Sequence, residues 1–211
     1  MERNRSVLLY AAGMPRKREP AGAAVLQESV TTAIATAMFD ELAEAGYARM
    51  SVDAVARRAG VGKAAVYRRW PSKQAMLLDL LAAAVRRSVP EVPDSGSLTG
   101  DVRGFLDVII AQVADPRIKR IALDMMAEAT RNPELGAALR EAVAGPRRAA
   151  ADAVLRRGIE RGELPADIDR ELGLDLLISP LLGRLLLTGS PVDDAYLTRL
   201  TTVIAAGLNS A

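Results

Sequence analysis

Apolar residues recur at three- and four-residue spacing along most of the chain, which is the periodicity of helices with one buried face. No segment alternates apolar and polar residues with a period of two, so the pattern predicts an all-α protein. Prolines, glycines and capping residues divide it into about nine helices. Five should cover residues 24–45, 73–88, 101–114, 168–189 and 193–208; two should begin at Pro116 and Pro133, and two short ones lie between residues 51 and 70.

Short polar residues mark several of the predicted helix starts. Asp115-Pro116 and Asn132-Pro133 each combine an N-cap residue with proline at the first helical position. The helix from Pro133 should continue to Gly162, with a kink at Gly145-Pro146. Residues 90–100 hold two prolines and two glycines, so they predict a loop and a domain boundary.

Residues 51–73 predict two short helices joined by a tight turn and followed by a third helix start. Ser51 is a good N-cap, and Gly60 suits the left-handed position after the first short helix. The second short helix should run from Lys63 to about Trp70, because Pro71 stops it. This is the pattern of a helix-turn-helix.

Positive charge is concentrated in the same stretch. Seven basic residues lie between positions 49 and 73, against one acid, Asp53. Residues 1–80 carry 12 basic and 8 acidic side chains, net +4, whereas residues 81–211 carry 16 and 18, net −2. The balance favours a polyanion partner for the N-terminal part only.

The composition narrows the chemistry that the chain can perform. The 211 residues include no Cys and no His, so disulfides, thiolate chemistry and Cys/His metal sites are excluded, and we expect no cofactor. No credible signal peptide is present, and a cytoplasmic location is the expectation. Residues 1–23 predict a disordered basic arm, with Met14 as a possible true start.

The helix-turn-helix resembles the DNA-binding domain of the TetR family of bacterial regulators. The matching segments are Gly46-Tyr47, Ser51-Val52, Ala59-Gly60-Val61 and Tyr67 through Lys73. The resemblance as a whole covers residues 28 to about 82. One departure is Gly62, where the family often has Ser or Thr. The C-terminal segments 157–165 and 186–194 also resemble the family, less specifically.

This resemblance implies three regions and a function. The arm would be followed by a DNA-binding domain at 24–72 and a ligand-binding and dimerisation domain at 73–211, with 73–89 as the connecting helix. A homodimer would bind double-stranded DNA at a palindromic operator. A small-molecule effector would release it, with the connecting helix transmitting the change.

The predicted DNA contacts lie on and beside the second short helix. Lys63 and Arg69 are candidates for guanine edges, and Ala64 and Ala65 for thymine methyl contact or close docking. Phosphate contacts are expected from Tyr67, Lys73 and Ser51, with Gly62 as a weak cap. Arg57 and Arg58 could belong to an ordinary solvated face, and Trp70 should be buried.

The segment 172–187 is apolar nearly all round. A membrane span would explain this, but Asp175, Arg184 and Pro180 interrupt it, and it is barely long enough. Burial against a second copy is the alternative that we prefer, because a helix without a polar face needs cover on all sides. A homodimer through helices 168–189 and 193–208 is therefore expected, with no membrane contact.

The effector pocket is predicted from apolar residues on helices that could surround a cavity. Few aromatic residues are present, so a neutral or weakly polar apolar effector is expected rather than a cationic one. The candidate lining residues are Phe105, Ile109, Met125, Met126, Leu139, Val143, Leu177 and Leu181.

Two other classes of function remain open at this stage. An all-α enzyme with an apolar cavity would need an acidic metal cluster along a helix face, whereas Asp193-Asp194 stands at a helix start and suits capping. A helical interaction module with an incidental basic face is the second alternative. Steep salt dependence and a palindromic preferred site would separate a regulator from both.

Overall fold

The computed structural model describes residues 22–88, 94–113 and 115–211. These residues form nine helices and no strand, which confirms the all-α fold. The predicted arm lies outside them apart from its last two residues, which already belong to the first helix, and Met14 lies outside as well. The first four helices are α1 (Gly22–Ala45), α2 (Val52–Arg58), α3 (Lys63–Tyr67) and α4 (Lys73–Ser88).

The remaining five helices follow the predicted caps closely. Helix α5 (Leu98–Val113) begins three residues earlier than expected, and α6 (Pro116–Arg131) starts at its proline. Asp115 and Asn132 cap as predicted, each accepting a backbone N–H of the following turn. The others are α7 (Pro133–Leu139, π-helical Arg140–Ala144, then Gly145–Glu160), α8 (Arg170–Leu182, then π-helical Gly183–Thr188) and α9 (Asp194–Leu208).

A π-helical turn lies directly before Gly145-Pro146, where a kink was expected. A proline inside a helix lacks an N–H and its ring crowds the preceding turn. The wider turn at Arg140–Ala144 lies directly before Pro146 and lets α7 continue without ending. Sequence periodicity gave no sign of this insertion.

Two hydrophobic cores hold the helices together. The N-terminal core contains buried side chains of α1 to α4, joined by Ile121 and Met125 of α6 and by Leu135 and Leu139 of α7. The C-terminal core contains side chains of α5, α7, α8 and α9. Helices α6 and α7 therefore extend the core of the first four helices, which the domain division at residue 73 did not predict.

Helix α8 uses one of its glycines to pack closely. A Cβ on Gly173 would lie 3.0 Å from Leu155 Cδ1 of α7, so the missing side chain allows close approach within the chain. Gly183 has no such neighbour within 4 Å. The exposed side of this part of α8 is therefore open.

A buried acidic group fixes the start of α5. Asp101 has no exposed surface, and its carboxylate accepts from the backbone N–H and the hydroxyl of Ser95, both at 2.8 Å. The guanidinium groups of Arg157 and Arg161 donate to its other oxygen at 2.9 and 3.0 Å. Burial opposes ionisation, but these donors prevail and hold the pKa of Asp101 at about 2.

Candidate nucleic-acid interface

Helix α2 and the turn after it form as the sequence predicts. Ser51 Oγ accepts the backbone N–H of Ala54 at 3.1 Å, which confirms the N-cap. Gly60 has φ +68°, and the N–H of Val61 donates to Ala56 O at 3.0 Å across the turn. Because the Ser51 hydroxyl accepts in this cap, its own hydrogen can still be donated outward.

Helix α3 presents a short exposed face. Lys63, Ala64 and Tyr67 are exposed, Ala65 is half-buried, and Val66 is fully buried beneath them. The helix ends at Tyr67 rather than at Trp70, with Arg68 as its C-cap.

Gly62 opens α3 in an extended conformation and makes no side-chain cap bond. It is exposed, and a Cβ built on it would meet nothing within 4 Å. The start of α3 is therefore open to a second molecule.

Lys63 is held by an exchangeable ion pair. Its Nζ lies 2.7 Å from Asp53 Oδ1 and 5.7 Å from the centre of the Tyr67 ring. The hydrogen bond to Asp53 raises the pKa of Lys63, so the side chain is a cation at neutral pH. Both partners are more than half exposed, and such pairs contribute little to stability.

Arg69 and Lys73 were predicted to contact DNA, and in the structure both make hydrogen bonds within the protein. Arg69 donates to Thr31 Oγ1 at 3.3 Å and to Ala65 O at 2.9 Å, so it ties the end of α3 to α1. Lys73 Nζ donates to the carbonyls of Tyr47 and Met50 at 2.8 and 3.1 Å. Both cations are partly buried and hold neighbouring backbone in place.

Trp70 is buried, as expected, with 7% of its surface exposed. Its indole N–H donates to Asp79 Oδ2 at 2.8 Å, which fixes the segment after α3 against α4. The orientation of the exposed face of α3 therefore depends on α1 through Arg69 and on α4 through Trp70.

Arg58 is exposed, and its guanidinium pairs with two acidic side chains of α1. Its guanidinium donates to Glu41 at 2.9 Å and to Glu44 at 2.5 Å. The hydrogen bond to Glu44 is the main reason that the pKa of Arg58 is raised above its usual range. Arg57 and Arg58 are both exposed, so both fit the expected solvated face, and Arg58 is in addition held by two acidic side chains.

A link between α6 and the turn after α1 was not foreseen from the sequence. The backbone N–H of Tyr47 donates to Asp124 Oδ2 at 2.8 Å, and Arg117 pairs with Asp40 of α1. Gly46 has φ +77°, and a Cβ there would lie 3.0 Å from Asp124 Oδ1. Periodicity places Asp124 on α6 but cannot tell which loop it faces.

An open cleft of about 790 Å³ lies between α1, α4 and the end of α3. Polar and apolar atoms line it about equally. Little in the sequence pointed to it, because hydroxyls and arginines on a helix are ordinary surface residues. The lining residues are Gln27, Glu28, Thr31, Thr32, Ala35, Arg68, Arg69, Leu80 and Arg87.

The eight residues predicted to line one effector pocket do not share one core. Four of them, Phe105, Ile109, Leu177 and Leu181, lie in the C-terminal core. Met125, Leu139 and Val143 belong to or pack against the N-terminal core, and Met126 is 49% exposed. Helix α6 packs Ile121 and Met125 against the first four helices and leaves Met126 exposed, and the first part of α7 packs against the same core.

The described residues offer neither a metal site nor a membrane span. They contain no group of three or more acidic side chains placed to hold a metal ion. Among them, too, no helix combines the length and the apolar character that crossing a membrane requires.

The fold and the basic helix-turn-helix define a DNA-binding transcriptional regulator with a helical C-terminal domain. Residues 34–80 match the family model described as bacterial regulatory proteins of the tetR family, and residues 92–204 match the tetracyclin repressor-like C-terminal domain. The chain belongs to the TetR family, whose members are DNA-binding regulators rather than enzymes.

Individual relatives agree with this assignment. The uncharacterized HTH-type regulator YdeS of Bacillus subtilis is 32% identical over 80% of this chain and 84% of its own length. The DNA-binding transcriptional repressor TetR of Mycobacteroides abscessus is 33% identical over 82% and 90%. The solved TetR family regulator SCO0332 has a TM-score of 0.66 at 31% identity, covering 85% of this chain and 98% of that structure.

Proposed function

We propose that the protein is a cytoplasmic repressor that binds a palindromic operator as a homodimer and leaves it when a small, largely apolar effector binds. The observation that carries the proposal is the exposed face of α3, where small residues, a cation and a tyrosine hydroxyl stand together. TetR-family proteins bind DNA and act as dimers with small-molecule ligands. The repressor named among the relatives supports the direction of regulation.

The proposed DNA contacts are divided by how exposed each side chain is. Lys63 exchanges Asp53 for a guanine edge, Ala64 and Ala65 let α3 approach the bases, and Tyr67 and Ser51 donate to phosphates. The backbone at Gly62 faces a phosphate at the start of α3. Arg69 and Lys73 position the interface, because Arg69 links the end of α3 to α1 and Lys73 binds the carbonyls of Tyr47 and Met50.

The proposed dimer contact uses α8 and α9. Leu172 and Leu187 on α8 are 47% and 72% exposed, and Val203 on α9 is 66% exposed. The opposite sides of both helices are buried in the C-terminal core. A second copy covering these side chains would give two α3 helices the fixed separation that a palindrome requires.

The proposed route from effector to DNA runs through α4 and α6. Both helices contribute to the N-terminal core, and α6 also holds the loop after α1 through Asp124. A ligand that favours another position of these helices would change the spacing of the two α3 helices. Coupling of about 1–3 kcal/mol is enough for a useful change in operator occupancy.

The proposal is tested by selecting purified protein against a pool of random duplexes. We expect a palindrome whose binding weakens steeply with salt, since each neutralised phosphate releases counterions. Recovery of sequence-blind binding alone would contradict a specific repressor. Lack of any salt-sensitive binding would contradict the DNA contacts as a whole.

A further inference from the structure

A chain of hydrogen bonds through Gln112 of α5 joins the end of α4 to Arg147 in the middle of α7. Gln112 of α5 donates from Nε2 to the carbonyl of Ser88 at 2.9 Å, and its Oε1 accepts from Arg147 Nε at 2.9 Å. Arg147 is half-buried, and burial lowers the pKa of its guanidinium. The neighbouring Arg148 differs, because it is paired with the carboxylates of Glu171 and Asp175.

No acidic side chain among the described residues pairs with Arg147, and apolar residues flank it one turn away on α7. Four residues before it, Val143 packs against the N-terminal core, and Ala151 after it is buried in the C-terminal core. On α5, Ile109 lies one turn before Gln112 and is also buried. Partial burial weakens the hydration of a cation, and the neutral amide of Gln112 supplies no opposite charge to replace it, whereas an anion on Arg147 would.

The guanidinium also has the right shape for one class of anion. Its Nε–H is used by Gln112, which leaves the N–H groups of the two terminal nitrogens for another acceptor. A planar guanidinium edge matches the two oxygens of a carboxylate.

We propose that Arg147 binds the carboxylate of the effector, and that the effector is an amphipathic organic acid whose apolar part lies beside α5 and α7. This inference rests on the proposed function and replaces the neutral effector expected from the sequence. An acid on the terminal nitrogens of Arg147 fixes the guanidinium whose Nε–H donates to Gln112. Since Gln112 holds the last carbonyl of α4, ligand binding would reach the connecting helix directly.

The test pairs each acid with its uncharged alcohol: decanoate with decanol, dodecanoate with dodecanol, and 4-phenylbutyrate with 4-phenylbutanol, all below micellar concentrations. Thermal unfolding and operator release are followed with the full-length protein. We expect at least one acid to raise Tm and to release operator at concentrations at least tenfold lower than its alcohol. If no acid acts, or each alcohol acts as well as its acid, the proposal is overturned.

Variants of Arg147 test whether this side chain is responsible for a preference for the acid over its alcohol. R147M should abolish the preference for the acid and R147K should keep part of it, whereas the matched control R148M should retain it fully. R147Q replaces R147M if the latter does not fold. A preference that survives both neutral variants overturns the proposal.

Two further comparisons separate failure of this proposal from failure of the proposed function, and an added acid from a carboxylate of the chain itself. Glu91 lies outside the described residues, and E91Q is run in parallel; an acid preference seen only in E91Q would mean that the chain's own carboxylate occupies the site, which overturns the proposal. Failure of the wild-type protein to bind any operator would count against the proposed function instead. The Tm measurement on acid and alcohol tests Arg147 without DNA.

Discussion

Gly46 and Gly60 both have positive φ, but the space around their Cα atoms differs. Gly60 has open space around its Cα, whereas a Cβ on Gly46 would meet Asp124 Oδ1 at 3.0 Å. We expect G60A to lower the free energy of unfolding by about 1–2 kcal/mol through left-handed strain alone. G46A should cost more, because it also disturbs the hydrogen bond from Tyr47 to Asp124, and urea unfolding of both variants measures the difference. Equal losses would show that Asp124 does not hold this loop.

Asp101 should contribute acid-sensitive stability. Its pKa of about 2 in the folded protein lies below the ordinary value of about 3.9, so its contribution is present above pH 4 and lost as pH falls toward 2. We expect D101N to lower the free energy of unfolding by about 3 kcal/mol at pH 7, since it breaks a buried ion pair. The deficit relative to wild type should shrink between pH 4 and pH 2.

The control for Asp101 lies on the same helix. Asp107 is half exposed and pairs with Arg103 one turn away, so D107N should change stability by less than about 1 kcal/mol. A constant deficit for D101N from pH 7 to pH 2, measured by denaturant unfolding, would contradict the ionised state assigned to Asp101.

At the scale of the helix-turn-helix, Lys63 and Arg58 make a matched pair of cations. Lys63 is held by one exposed acid, whereas Arg58 is held by Glu41 and Glu44. We expect K63A to weaken operator binding by about 5- to 150-fold, the range for loss of a good base contact. R58A should leave affinity within about twofold when both are measured by fluorescence anisotropy well below Tm. The reverse order would contradict the proposed face of α3.

Local signals in the sequence predicted the elements better than their packing. Ser51, Asp115, Asn132 and Gly60 act on backbone within a few residues, so their caps and turn could be predicted and are confirmed. The end of α3 at Tyr67 and the π-helical turn before Pro146 were missed, since neither follows from the spacing of apolar residues.

The predicted site residues also differ in whether local sequence or packing determines their surroundings. Exposure of Tyr67 and burial of Trp70 follow from their places on or after a short helix. The partners of Arg69 and Lys73 come from α1 and the loop after it, 38 and 23–26 residues away, and spacing along the chain cannot supply them. The effector candidates were grouped by the helices on which they lie, and spacing along the chain could not show that Met125 packs in the N-terminal core.

For the whole molecule, the exposed side chains of α8 and α9 predict how the dimer can be broken. V203E puts a charge into the proposed contact, and we expect a monomer in sedimentation equilibrium with operator affinity reduced at least tenfold. I118E is the control, since Ile118 is an exposed apolar residue on α6, outside the proposed contact. A V203E protein that remains dimeric, or an I118E protein that dissociates, would move the interface elsewhere.

The central claim is that two copies of α3 read one palindrome at a fixed separation. The most direct measurement compares wild-type affinity for the selected palindrome, for a single half-site, and for a palindrome with five base pairs inserted at its centre. Half-sites one DNA turn apart are about 34–36 Å apart, and the insertion rotates one of them to the opposite face. We predict at least a tenfold loss on both altered duplexes. Equal affinity for all three would contradict a dimeric operator-reading protein.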